Sequence, residues 1–148
     1  MNVSFREVDP FNCWIWIKFV EIPTSAEKKY IDGIFDSWYV IGRLGGFNSE
    51  NLQTNEEGSD ISWFSYNNEI LDTALPSLMH NLGQMEYLEK WGRCWVDFGT
   101  SGAIALDVLI NSFYQASKDF VGIEEMLIGG ENAEWEVSDH PDSVFNNN

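Results

Sequence analysis

The stretch WGRCWVDFGTSGAIALDVLINSF, from Trp91 to Phe113, decides the fold. Its first part has the two-residue alternation of a β-strand, with one side formed by Cys94, Val96 and Phe98. Gly99 then interrupts the strand, and Thr100 and Ser101 are two candidates for the residue that begins a helix. From there the apolar residues recur at helical spacing. We therefore predict a strand, a tight turn and a long helix that ends near Lys118.

A second strong pattern lies nearer the N-terminus, in FNCWIWIKFV from Phe11 to Val20. This stretch is apolar on both faces, which is typical of a strand in the middle of a sheet. Thr24 and Glu27 then form a capping-box pattern, which predicts the start of a helix. The apolar residues of that helix are spaced three and four apart: Tyr30, Ile31, Ile34, Phe35, Trp38 and Ile41. Gly45-Gly46 predicts its end, because glycine is favoured after a helix.

Shorter elements complete the predicted order of strands and helices. They are an edge strand at Val3–Glu7, a strand at Ile61–Tyr66, short helices in residues 69–83, a hairpin of Gln84–Glu89 with Arg93–Phe98 around the loop Lys90-Trp91-Gly92, and a last strand at Ile123–Ile128. This order predicts an α+β fold, an antiparallel sheet with two main helices on one face, of ferredoxin-like topology. We assign residues 1–137 to a single domain. Residues 138–148 form an acidic tail with too little apolar surface to offset its ordering entropy, and we expect it to be disordered.

The net charge excludes several classes of partner. The 148 residues contain 24 acidic and 8 basic side chains, so the formal charge is −16. Such a charge repels phosphate backbones and anionic lipids, and we expect no nucleic acid as a partner. No apolar run approaches the roughly 20 residues of a membrane-spanning helix, so we expect no membrane insertion. A protein partner with a basic surface suits this charge.

Neither metal nor cofactor sites have a sequence signature. Cys13, Cys94, His80 and His140 do not have the short spacings of metal ligands. The Gly-Gly pairs at 45–46 and 129–130 lack the residues that complete nucleotide-binding loops. We therefore expect no metal and no cofactor. Both cysteines alternate with core-facing residues, which predicts buried, reduced and unbridged thiols.

An aromatic patch is the first candidate site, for protein contact. Trp14, Trp16 and Trp95 alternate away from the sheet face that we assign to the helices, and Arg93 and Asp97 share their side. A large aromatic patch on a sheet face needs a cover, either from the chain itself, through residues 69–83 or the tail, or from a partner. We expect self-coverage for Trp14 and Trp16. For Trp95 we expect partial exposure, because its charged neighbours prefer water.

An alternative site consists of His80, Arg93 and Asp97. Such groups could line a pocket for a small molecule or an enzymatic reaction. Arg93 and Asp97 are four residues apart on one strand, so they need not touch. Since no pattern fixes a nucleophile or a general base, the sequence favours a protein that is not an enzyme.

Five segments carry a family resemblance: FNCWIWIKFVEIP, SWYVIGRLGGFNSENLQ, ALPSLMHNLG, WGRCWVDFGTSGAIALDVLIN and LIGGENAEW. Together they resemble a small cyanobacterial and plastid family that is catalogued as a domain of unknown function, over about residues 1–137. The resemblance implies an oxygenic phototroph and a location in the cyanobacterial cytoplasm or the plastid stroma. It brings no catalytic residues. Our hypothesis is an accessory protein that acts by protein–protein contact in the assembly or regulation of photosynthetic machinery.

Overall fold

The computed structural model describes residues 1–47 and 78–130, which hold one six-stranded sheet and two long helices. The elements are β1 (Asn2–Phe5), β2 (Cys13–Phe19), α1 (Ser25–Arg43), β3 (Asn81–Leu82), β4 (Glu86–Leu88), β5 (Trp91–Asp97), α2 (Gly102–Asp119) and β6 (Ile123–Ile128). The strand order is β1-β6-β2-β5-β3, and β4 also pairs with β5. Neither helix is long and apolar enough to cross a membrane. The predicted strand Ile61–Tyr66 and tail 138–148 lie outside the described residues.

The central strands confirm the predicted α+β class. β2 pairs antiparallel with both β5 and β6, and β4 and β5 form a hairpin. With one helix after β2 and another after β5, the order β6-β2-β5-β4 is the ferredoxin-like βαββαβ arrangement. β1 is an addition at the edge. It runs parallel to β6, and β6 lies between β1 and the oppositely directed β2. The sheet is therefore mixed, and not purely antiparallel as predicted.

The ends of α1 follow the sequence signals. The Thr24 Oγ1 atom accepts a hydrogen bond from the Glu27 N–H at 3.1 Å, and the Glu27 carboxylate accepts one from the Thr24 N–H at 2.9 Å. This reciprocal pair is the predicted capping box, and it satisfies two backbone donors that the first helical turn leaves unpaired. Gly45 has a φ of 79°, the left-handed conformation that ends helices.

Both helices pack on the same face of the sheet, as predicted. The core consists of inward-facing residues of β2 and β5 beneath the buried faces of α1 and α2. The Phe35 and Phe113 ring centroids lie 5.3 Å apart, which joins the two helices. The Trp38 indole donates a hydrogen bond to the Ala105 carbonyl at 2.8 Å, so this large side chain is buried with its polar atom satisfied.

Two sequence predictions about residues 78–92 are wrong. The hairpin loop is Glu89 and Lys90, with φ 52° at Glu89, and Trp91 already belongs to β5. Trp91 is only 3% exposed, so burial of its ring outweighs the turn pattern of Lys90-Trp91-Gly92. The predicted helix near His80 is also absent: this segment is extended and leads into β3, because pairing with β5 satisfies its backbone.

Candidate functional site

Trp16 and Trp91 form the centre of the sheet face that points away from the helices. Their ring centroids are 6.1 Å apart and their planes meet at 85°, the edge-to-face geometry that aromatic pairs prefer. Trp16 is 1% exposed and Trp91 is 3% exposed, and both contact the buried Leu127. The centre of this face is therefore interior and is not available to a partner.

Arg93 is buried between aromatic rings, although we expected it to prefer water. Its guanidinium carbon lies 4.5 Å from the ring centroid of Trp14 and 5.4 Å from that of Trp16. Its Nε donates a hydrogen bond to the Glu86 carboxylate at 2.9 Å. A guanidinium that is ion-paired and stacked on π-faces tolerates burial far better than an ammonium. This explains why Arg93 is buried and does not point into water as we expected.

Trp14 and Trp95 are direct cross-strand partners and both remain partly exposed. The Trp95 indole N–H donates a hydrogen bond to the Asn12 side-chain carbonyl at 2.7 Å, which fixes the orientation of the ring. These two rings therefore lie at the border of the aromatic face, next to solvent.

His80 and Asp97 come together beside Trp95. The His80 Nδ1 atom lies 3.3 Å from the Asp97 Oδ1 atom, which also accepts a hydrogen bond from the Gly99 N–H at 2.9 Å. The Phe11 ring centroid lies 6.1 Å from that of His80. We call Phe11, Trp14, His80, Trp95 and Asp97 the aromatic rim.

The structure thus separates the predicted site residues into two groups. Trp16 and Arg93 are buried, whereas Trp14, Trp95, His80 and Asp97 reach solvent. Arg93 does not join the His80–Asp97 pair: it is bonded to Glu86, and four residues of strand separate the Arg93 and Asp97 Cα atoms by roughly 13 Å.

Sequence reasoning missed three contacts of this region. The ring of Phe11 contacts His80 and adds to the rim, and the carboxylate of Glu86 neutralises Arg93. The ring of Trp91 packs on Trp16 in the buried centre of the face. Extending the alternation of β5 back by two residues from Arg93 would have placed Trp91 on the aromatic face. The hairpin register would have placed Glu86 opposite Arg93.

Among the cavities lined by described residues, two larger ones lie on the side of the helices. One is a groove of about 680 Å³ between α1 and α2, and Lys29 is the one charged residue among the described residues that line it. The other, of about 520 Å³, lies between α1 and the β3–β4 region and is lined by Asp32, Asp36 and Cys94 among others. Beside it, the Tyr87 hydroxyl donates a hydrogen bond to Asp32 at 2.7 Å, and burial together with this carboxylate raises the pKa of Tyr87. Neither cavity has His80, Arg93 or Asp97 in its lining.

Burial makes the thiols of Cys13 and Cys94 unreactive. Cys13 and Cys94 are free, with no exposed surface, and burial raises the pKa of each to about 12. At pH 8 only about one thiol in ten thousand would then be a thiolate.

We expect iodoacetamide to label neither cysteine in the native protein and both in urea, as measured by mass spectrometry. Rapid native labelling of either cysteine would contradict this placement.

The comparisons with known proteins identify one family. A family model described as "Protein of unknown function (DUF3531)" matches residues 1–143, which extends the resemblance beyond Val137. Searches of the curated proteins and of the solved structures find no match. Because the family model covers nearly the whole sequence, the chain belongs to the DUF3531 family.

Proposed function

We propose that this is a non-catalytic accessory protein that acts through protein–protein contact at the aromatic rim. The observation that carries this proposal is the continuity of the rim. Trp14 pairs across the strands with Trp95, Asp97 follows on the same side of β5, and His80 joins Asp97 to Phe11. Phe11 is 54% exposed and the His80 side chain is 49% exposed. Aromatic side chains that lie at the surface, beside the partly exposed Trp14 and Trp95 rings of the sheet, are typical of residues that dominate binding energy.

The partner presents lysine or arginine side chains to this rim. Aromatic faces attract cations, and the Asp97 carboxylate offers them an ion pair. The net charge of −16 adds a long-range attraction that speeds encounter with a basic partner. The same charge repels nucleic acids, so a phosphate-bearing partner is disfavoured.

We propose the biological setting on the basis of the family resemblance. We place the protein in the cytoplasm of a cyanobacterium or the stroma of a plastid, where it takes part in the assembly or regulation of photosynthetic machinery. The family resemblance supports this setting by association.

Two phenylalanines provide a matched test. Phe11 on the rim is 54% exposed and Phe5 on β1 is 57% exposed, so truncating either removes a similar exposed area. We expect Phe11→Ala and Trp95→Ala baits to lose a protein that wild-type and Phe5→Ala baits capture from a phototroph lysate. The loss of affinity should be about 30-fold or more, as for a hot-spot residue.

Quantitative mass spectrometry of the captured proteins, beside an unfolding curve for each bait, checks this expectation. Identical captured proteins for all four folded baits would contradict contact at the rim.

The His80–Asp97 pair supports a second candidate, a small-molecule site or enzyme. A carboxylate 3.3 Å from an imidazole can hold the ring in one orientation, which general acid–base chemistry uses. Arg93, bonded to Glu86, is not available to this pair. A small molecule that raises the melting temperature of the wild type but not of His80→Ala would favour this alternative.

A further inference from the structure

Strand β1 forms one edge of the sheet, and no strand of the described residues lies on its outer side. Just past the end of β1, the Arg6 N–H donates a hydrogen bond to the Ile128 carbonyl of β6 at 2.8 Å. Backbone groups in a strand alternate in direction, so Ser4 also bonds to β6, whereas Val3 and Phe5 direct their N–H and C=O groups outward. Within the described residues these four outward groups form no hydrogen bond, and they line an open edge.

This edge lacks the features that usually protect a sheet from pairing with another chain. Such protection comes from very short strands, lysine, proline or a bulge. The opposite edge of the described sheet follows this rule, because β3 has two residues and β4 has three. β1 has four residues, none of them charged and none a proline, and its register with β6 contains no bulge. Of the two described edges, β1 is therefore the one that is open to pairing.

The side chains of β1 determine what kind of strand fits beside it. Val3 packs on the core on the helical side of the sheet, where its neighbour on β6 is the buried Met126. Phe5 points to the same side, yet its ring is 57% exposed. An added strand would place an apolar side chain beside this ring and remove the ring from water. Because Asn2 and Ser4 on the other side are polar and exposed, a segment that alternates apolar and polar residues fits β1.

Charge selects the protein that carries this segment. Glu7 and Asp9 are exposed directly after β1, so they attract a lysine or arginine at one end of an added strand. The Arg6 side chain, which lies between them in the sequence, donates its Nε–H to the Gly129 carbonyl. The net charge of −16 opposes the approach of a second copy of this chain. The segment that fits β1 therefore belongs to a different protein, with a basic surface.

We propose that the open edge of β1 binds an extended segment of a basic partner protein, which adds a strand to the sheet. The backbone of this segment exchanges hydrogen bonds with Val3 and Phe5, and its apolar side chains cover the Phe5 ring. In strand addition the main-chain hydrogen bonds give affinity and the alternate side chains give specificity.

This site does not rest on the proposed function of the aromatic rim. The rim residues belong to β2, β5 and the segments that lead into β2 and β3, and β6 lies between β1 and β2. A partner of the rim and a partner of β1 are therefore lost through different substitutions.

A library of short random peptides, probed with the labelled full chain, tests the strand addition. We expect the wild type to select peptides that alternate apolar and polar residues and carry lysine or arginine at one end. N-methylation of a selected peptide then tests backbone pairing without any change to the protein. Methyl groups on the alternate amides that face β1 should abolish binding. Methyl groups on the amides between them should not, because those amides point away from β1.

Two substitutions of Phe5 test the same hydrogen bonds from the side of the protein. Phe5→Ala removes the exposed ring and keeps the outward N–H, whereas Phe5→Pro removes both. Since β6 does not use this N–H, proline is tolerated at this position of an edge strand. We expect Phe5→Pro to bind a selected peptide about tenfold more weakly than Phe5→Ala, as measured by fluorescence anisotropy. Urea unfolding curves establish that both variants are folded.

Several results would overturn the proposal. They are a library without alternating binders, binding that survives N-methylation on either set of amides, and equal peptide affinities of the two Phe5 variants. Peptides that Phe11→Ala loses and Phe5→Pro retains would bind at the rim, which contradicts the β1 site and leaves the proposed function standing. A wild-type dimer in sedimentation equilibrium that Phe5→Pro dissociates would show that a second copy occupies the edge, in place of a basic partner.

Discussion

Trp16→Ala should lower the free energy of unfolding by about 3–5 kcal/mol, the usual cost of truncating a large buried aromatic side chain. Trp16 is 1% exposed, stacks edge-to-face on Trp91 and lies under the Arg93 guanidinium. Its removal leaves a cavity in the aromatic face, and the buried Arg93 loses part of the π-surface that stabilises it. Urea titration followed by far-ultraviolet circular dichroism measures the change.

Trp95→Ala is the matched control on the neighbouring strand. This ring is partly exposed and its hydrogen bond goes to the exposed Asn12, so we expect a loss of only about 1–2 kcal/mol. Equal losses for Trp16→Ala and Trp95→Ala would show that the face has no buried centre, and the whole face would then be a contact surface.

Gly129→Ala should lower the free energy of unfolding by about 2–5 kcal/mol, because positive φ and steric conflict combine at this position. Gly129 has a φ of 97°, and a Cβ atom there would lie 2.6 Å from the Glu7 carbonyl oxygen. Relief requires the backbone of residues 6–7 to move away from the end of β6. That movement would also break the bonds from the Arg6 Nε to the Gly129 carbonyl and from the Gly130 N–H to the Glu7 carbonyl.

Gly102→Ala separates the two contributions. Gly102 has a φ of 71°, but a Cβ atom there would have nothing within 4 Å, so only the backbone conformation is unfavourable. We expect this control to lose about 1–2 kcal/mol. If Gly129→Ala loses no more than Gly102→Ala in the same urea titration, the close approach of residues 6–7 to Gly129 does not hold β1 against β6.

Local patterns predicted the elements whose signals lie within a few residues of one another. Each of these signals involves residues that are close together in the sequence. They are the reciprocal bonds of Thr24 and Glu27, the glycine at the end of α1 and the alternation of β2. The two-helix layer followed, because the apolar stripes of α1 and α2 must cover one sheet face.

Contacts between distant parts of the chain could not be predicted in this way. β1 pairs with β6 because Arg6 and Glu7 bond to Ile128 and Gly130, more than a hundred residues away. The burial of Arg93 likewise depends on Trp14 and Trp16 of another strand and on Glu86 across the hairpin. A single-strand pattern assigns such an arginine to solvent because it does not contain these partners.

The candidate site shows the same limit. Trp14, Trp95 and Asp97 could be placed on one face from alternation alone. His80 reaches the rim because β3 pairs with β5. Phe11 reaches it because the segment before β2 runs beside the end of β5.

The indole N–H resonances of a ¹⁵N-labelled sample test contact at the aromatic rim most directly. When the partner captured by the wild-type bait is added, we expect the Trp95 indole signal to shift or broaden, assigned by its loss in Trp95→Ala. The indole signals of the buried Trp16 and of Trp38 beneath the helices should stay in place. An unchanged Trp95 signal with partner bound would contradict the rim as the contact surface.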